Sequence, residues 1–207
     1  MKSAIISLVV IIGIAGAGFF AWKTFGPKPA PAVPQVAVDT RSTYATSTYS
    51  VRYPGNFVLN AQYAYDQFGP NKLINGVKFT IPASVAMAST SSPQAGTNLS
   101  SDTYLSIEQL PRAKKCTGDI YLTASVVAQN ITENGTDYSF ASSTGAAAGN
   151  RYEEHVYALA TSSPCTAVRY YIHSTNIGNY PAGAVREFDK AALLTEFDKI
   201  RASLVLQ

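Results

Sequence analysis

The stretch TYSVRYPGNF, residues 48–57, sets the reading of the chain. Tyr49, Val51 and Tyr53 alternate with Ser50 and Arg52, the period of a strand with one apolar face. Pro54-Gly55 then ends the strand, because proline has no N–H to give to a ladder, and Phe57 follows two residues later. Further segments of the same kind lie downstream. LINGVKFTIP at 73–82 and TYLSIEQL at 103–110 each alternate and each stop at a proline. NITENGTDYSFASST at 130–144 reads as a hairpin about Asn134-Gly135, a pair suited to a type I′ turn. Residues 146–160 and 165–176 read as the next two strands, joined by Thr161-Ser-Ser-Pro164, with GAAAGN at 145–150 a small-residue turn.

The segment after Cys116, DIYLTASVVAQ, is ambiguous and is open to a short helix running into a strand. Residues 83–103 are small and polar and read as a long surface loop. Asp189 is placed to cap a helix from Lys190, with Leu193, Leu194, Phe197 and Ile200 on one face, and 203–206 reads as a closing strand. These segments predict an α+β domain: a mainly antiparallel sheet packed against helices.

Upstream, residues 4–22 (AIISLVVIIGIAGAGFFAW) contain no charge. As a helix the run would span roughly 28 Å, about one bilayer core, so one N-terminal transmembrane helix is expected. Ala15-Gly16-Ala17 leaves a cleaved signal peptide as the alternative. GPKPAPAVPQVAVDT at 26–40 is proline-rich and reads as an extended tether reaching on the order of 43 Å. The expected organisation is a membrane anchor or signal segment over 1–25, a tether over 26–41, and an extracytoplasmic domain over 42–207.

The chain has 207 residues with 46% hydrophobic side chains, 13 tyrosines and a formal charge of +3. Lys2 and Lys23 supply two of the 16 basic residues, so the remainder carries 14 basic against 13 acidic side chains. That balance excludes a nucleic-acid footprint, which needs clustered cations. The short basic run Arg112-Ala-Lys114-Lys115 reads as a solvated loop, with contact to an anionic partner as the alternative. The only two cysteines, Cys116 and Cys165, are read as one disulfide of an exported domain, with two buried thiols as the alternative.

Tyr49, Ser50, Tyr53, Pro54 and Phe57 at the start, with Phe197, Asp198, Ile200, Ser203, Leu204 and Leu206 at the end, resemble the PsbP-like domains. These include extrinsic photosystem II proteins and exported bacterial relatives. The resemblance implies a sandwich of sheet and helices and a binding or assembly role, with no reaction. It also implies that the 49–53 strand pairs inside the main sheet and sets Tyr53 against Phe197.

No His-Glu-x-x-His, nucleophile-elbow, phosphate-loop or dinucleotide motif occurs. One constellation carries chemistry. If strands 146–160 and 165–176 pair about 161–164, His155 falls opposite Tyr171 or His173, and Glu153, His155 and His173 would share a face able to take zinc or copper. A solvated, hydrogen-bonded sheet face is the other reading of those residues. Glu153 with Glu108 is the carboxylate pair of a hydrolase reading. Tyr152, Tyr157, Tyr170, Tyr171 and Tyr180 suggest a glycan- or peptide-binding face, or ordinary half-buried sheet tyrosines. The expected function is a membrane-tethered, single-pass extracytoplasmic binding or assembly module without catalytic activity or cofactor, with a protein or glycan partner in the cell envelope. The alternative is an envelope hydrolase or metal-binding protein using Glu153, His155 and His173.

Overall fold

A computed structural model describes residues 40–69, 72–82 and 96–207. The expected apolar helix at 4–22, nearly all of the tether and most of the 83–103 loop lie outside these residues. Ten strands and one α-helix form the described part: β1 (Arg41–Ala45), β2 (Tyr49–Pro54), β3 (Val58–Tyr65), β4 (Ile74–Thr80), β5 (Tyr104–Leu110), β6 (Gln129–Glu133), β7 (Thr136–Ala147), β8 (Asn150–Leu159), β9 (Cys165–Thr175), α1 (Lys190–Ala202) and β10 (Val205–Leu206).

The strands make two sheets with antiparallel pairing throughout. Three strands run in the order β1-β2-β10, and seven in the order β3-β4-β5-β9-β8-β7-β6. This corrects the expected α+β domain. Strands dominate, α1 is the single α-helix among the described residues, and no helix among them is long and apolar enough to cross a membrane. The reason lies in residues 119–129, where a short helix running into a strand is one reading of the sequence. Only Gly118–Tyr121 winds, as one 3-10 turn, and the chain then runs on without forming an α-helix.

β2 was expected inside the main sheet. It is instead the centre of the small sheet, between β1 and β10. Tyr49 and Val51 are buried, in a core shared with Val77, Phe79, Ile107, Val168, Tyr170 and the helix residues Leu193, Phe197 and Ile200. Tyr53 packs on Phe79 with ring centres 4.7 Å apart, while Phe197 meets Tyr170 at 5.1 Å. The small sheet and α1 therefore share one face of the seven-stranded sheet, each through its own apolar residues. Asp189 caps α1 by accepting from the Ala192 N–H at 2.9 Å.

Two tight hairpins fix the far side of the sheet. Asn134 and Gly135 both have positive φ, as a type I′ turn requires, and they join β6 to β7. Ala148 and Gly149 repeat this between β7 and β8, so the small-residue stretch at 145–150 is the tip of a long hairpin.

The other face of the large sheet carries a second core: Tyr65, Ile74, Tyr121, Leu122, Ala141, Val156, Ala158 and Ala167. The segment after β5 covers part of it. Gly118 allows this close approach, since a Cβ there would stand 2.7 Å from the Ser139 carbonyl oxygen and 2.8 Å from the Ala141 nitrogen. The Cys116–Cys165 disulfide, with Cα atoms 5.1 Å apart, ties the segment to the start of β9.

Candidate functional site

The register of β8 on β9 decides what its side chains do. His155 pairs with Tyr170, Tyr152 with His173, and Glu154 with Tyr171. The pairing expected from the sequence, Tyr171 or His173 opposite His155, is displaced by one or three residues, and in a sheet a slip by an odd number moves every side chain to the other face. Glu153 and His155 lie on the face covered by α1, where Glu153 contacts the Lys190 ammonium at 2.5 Å and the His155 imidazole at 3.6 Å. His173 lies on the opposite face, bonded through Nδ1 to Asp102 at 2.7 Å and stacked on Tyr152 at 4.5 Å. The three residues of the metal reading are not brought together. Among the described residues no group of three His, Cys, Asp or Glu side chains is placed to hold a metal ion. Glu108 lies on the face opposite Glu153, fully buried, so that pair does not flank a common bond.

The face carrying His173 holds a cleft of about 500 Å³, lined mainly by Tyr63, Tyr65, Tyr104, Tyr152 and Tyr171 with Lys78 and Glu154. A row of rings crosses the sheet there. Tyr63 meets Tyr104 at 5.6 Å, Tyr104 stacks on Tyr171 at 4.9 Å, and Tyr171 adjoins Tyr152 at 6.3 Å. Cross-strand pairing of Tyr104 with Tyr171 sets the middle of this row. Its near end depends on β3, whose register shifts between Asn60 and Tyr63. The irregularity changes which residues face which side and brings Tyr63 and Tyr65 over the cleft.

Sequence reasoning placed only Tyr152 and Tyr171 of this row. Tyr157 and Tyr170 belong to the core under α1, and Tyr180 bonds to the Thr175 hydroxyl at 2.8 Å. The missed signal was in β3 itself: Tyr63 and Tyr65 alternate with Ala64, at strand period, directly after the first turn.

Beneath the row lies a buried charge network. Arg169 binds both oxygens of Glu108, the Tyr121 carbonyl at 2.7 Å and Glu154, and its guanidinium lies 3.7 Å from the Tyr65 ring centre. Burial lowers the Arg169 pKa, but Glu108 and Glu154 together outweigh this and hold it above the ordinary arginine value. Ser106 adds a bond to Glu108 at 2.7 Å. Burial raises the phenol pKa of Tyr63, Tyr65 and Tyr104 above the usual range, and raises Tyr171 to about 12 with help from Asp102 and Tyr152. These hydroxyls stay protonated at neutral pH, so each both donates and accepts. Tyr63 and Tyr104 use this on each other at 2.8 Å.

No family model and no curated protein matches the chain. Among solved structures, the chain is similar to a protein of Bacteroides thetaiotaomicron VPI-5482 whose crystal structure was determined at 1.50 Å, with 13% identity and a TM-score of 0.39. The match covers 77% of this chain and spans 45% of that one.

Proposed function

We propose that the protein is a binding or assembly module without catalytic activity, attached to a membrane through its apolar N-terminal segment and working outside the cytoplasm. The resemblance to PsbP-like domains belongs to the same reading. The observation that carries it is the tyrosine cleft: a concave site of ligand size, walled by aromatic rings and resting on a fully bonded charge network. Such a floor is rigid and internally satisfied, which suits recognition. The disulfide supports an oxidising compartment, and the uncharged run at 4–22 supports membrane attachment.

The test is site-specific photocrosslinking in intact cells. A photoreactive residue replacing Gln67, on the exposed cleft rim, is compared with one replacing Val127, which is 88% exposed and does not line the cleft. A recurrent adduct from Gln67 alone is expected. Equal labelling from both positions, or none from Gln67, overturns the reading. An impermeant maleimide applied to a cysteine placed at Val127 tests the compartment. Labelling in intact cells is expected, and labelling only after lysis refutes the extracytoplasmic location.

A further inference from the structure

The geometry points to a neutral glycan as the ligand of the tyrosine cleft, an inference that rests on the binding-module reading above. Size is the first argument. About 500 Å³ lies in the ordinary range for small-ligand sites and accommodates a few sugar rings. The ring row is the second. Tyr63, Tyr104, Tyr171 and Tyr152 follow one another at 5.6, 4.9 and 6.3 Å, steps comparable with the length of one pyranose. Tyr104 is buried against Tyr171, so the half-buried Tyr63, Tyr171 and Tyr152 are the rings the row presents to a repeating polymer. Pyranosides present apolar C–H patches beside hydroxyls, and tyrosine presents an apolar ring beside a hydroxyl that donates and accepts.

Charge decides among ligand classes. Lys78 lies 5.2 Å from the centres of the Tyr63 and Tyr104 rings, and the same cleft holds the carboxylates of Asp66, Asp102 and Glu154. An aromatic cage for a quaternary ammonium would be opposed by the Lys78 charge. An acidic polymer would be opposed by the Asp66 carboxylate, which lines the same cleft. Glu154 is already engaged by Arg169, and Asp102 by His173, so neither is an unmet countercharge waiting for a cation. A neutral, hydroxyl-rich ligand meets both signs as hydrogen-bond partners, with carboxylates accepting from its hydroxyls and Lys78 donating to them.

A peptide bound by strand addition is disfavoured here. Beneath the middle and far end of the row, β5, β9 and β8 are interior strands whose ladders are paired on both sides, and the one free ladder nearby among the described residues is the outer edge of β3, beyond Tyr63 at the row's near end. An extended backbone lying across them finds side chains only.

The experiment uses the full chain in detergent with its disulfide intact. Binding is measured to neutral polymers (β-1,4-glucan, mannan and chitin oligosaccharides) and to polygalacturonate and chitosan as acidic and cationic comparators. Retention by at least one neutral polymer in preference to both charged ones is expected. Tyr152→Leu should lower that affinity about tenfold by removing one ring contact. Thr123→Trp, which crowds the cleft from an exposed lip position and leaves the core intact, should do the same. Unchanged thermal unfolding of Thr123→Trp shows that lost binding is local. Binding to none of the neutral polymers, preference for a charged one, or neutral binding untouched by Thr123→Trp overturns the inference. If Gln67 captures a partner while every neutral polymer fails, the glycan assignment falls and the binding-module reading stands; if both fail, both fall.

Discussion

Arg169 donates through Nε and Nη2 to the two carboxylate oxygens of Glu108, at 2.8 and 2.9 Å, with both side chains fully buried. Removing one partner leaves a charge where water cannot reach it. Arg169→Leu should therefore cost about 3–5 kcal/mol, read as a lower urea midpoint. The double change Arg169→Leu with Glu108→Leu removes both charges and should be less destabilised than Arg169→Leu alone. A double variant at least as unstable as the single one would show that packing, and not the stranded charge, dominates.

This network also marks the limit of what the sequence discloses. Glu108 and Arg169 sit on strands recognisable by alternation, TYLSIEQL and CTAVRYYIHSTN. Yet β5 and β9 are far apart in the chain, and nothing local says that they are neighbours. The hairpin at Asn134-Gly135 was legible because its turn residues dictate positive φ. The disulfide was legible by elimination, and the capped terminal helix by its period. The β8–β9 register was not: the turn admits more than one pairing, and a slip by an odd number of residues parted His173 from His155. The cleft was hidden for the same reason, since its rings come from β3, β5, β8 and β9 and meet only through long-range pairing.

The disulfide closes a loop with a sequence separation of 49. Replacing both Cys116 and Cys165 by Ser should cost roughly 3–4 kcal/mol through the entropy of the unfolded chain. Urea titrations of the wild type with and without reductant should show the same difference, and the double-serine variant should be indifferent to reductant. Equal midpoints for oxidised and reduced wild type would refute this.

Gly118→Ala tests how closely the segment after β5 rests on the sheet. The added methyl would meet the Ser139 oxygen and Ala141 nitrogen, both backbone atoms that cannot rotate away. A loss of about 1–3 kcal/mol is expected. A control at Gly145, where a Cβ meets nothing within 4 Å, should be near neutral.

His155 gives the domain a pH dependence of definite sign. Burial lowers its pKa below the ordinary value. Glu153 pulls the other way, Lys190 adds to the lowering, and Asp198 opposes it. In the unfolded chain the ring titrates near its usual value of about 6.5. Below that pH the unfolded state binds more protons than the folded one, so stability falls as pH drops from about 6.5 and levels off below the folded pKa. His155→Gln should flatten this part of the stability–pH curve while leaving the plateau above pH ~7 in place. A wild-type curve that rises with acidification across this window would contradict the sign.

Arg201 anchors the terminal helix in a way that contrasts with Arg169. Its side chain is only 4% exposed. It donates through Nε to the Tyr170 hydroxyl at 2.7 Å and through Nη2 to Asp198 at 3.0 Å and to Glu133. The guanidinium also lies 4.0 Å from the Tyr157 ring centre and 4.8 Å from that of Tyr138. Its acidic partners differ from those of Arg169 in one respect: Glu133 is 42% and Asp198 49% exposed. When the guanidinium is removed, both carboxylates remain hydrated, so no buried charge is stranded. Arg201→Met keeps most of the apolar stem against the tyrosines and loses the hydrogen bonds, a cost of about 1–3 kcal/mol. It should therefore destabilise clearly less than Arg169→Leu, although both arginines are buried. Arg201→Lys keeps the charge but replaces a planar fork by a single ammonium, which cannot serve Tyr170, Asp198 and Glu133 together, so it should not restore wild-type stability. Parallel urea titrations of the three variants check the order. If Arg201→Met were as costly as Arg169→Leu, partner exposure would not be what sets the difference, and the helix would depend on Arg201 through its contacts with Tyr157 and Tyr138.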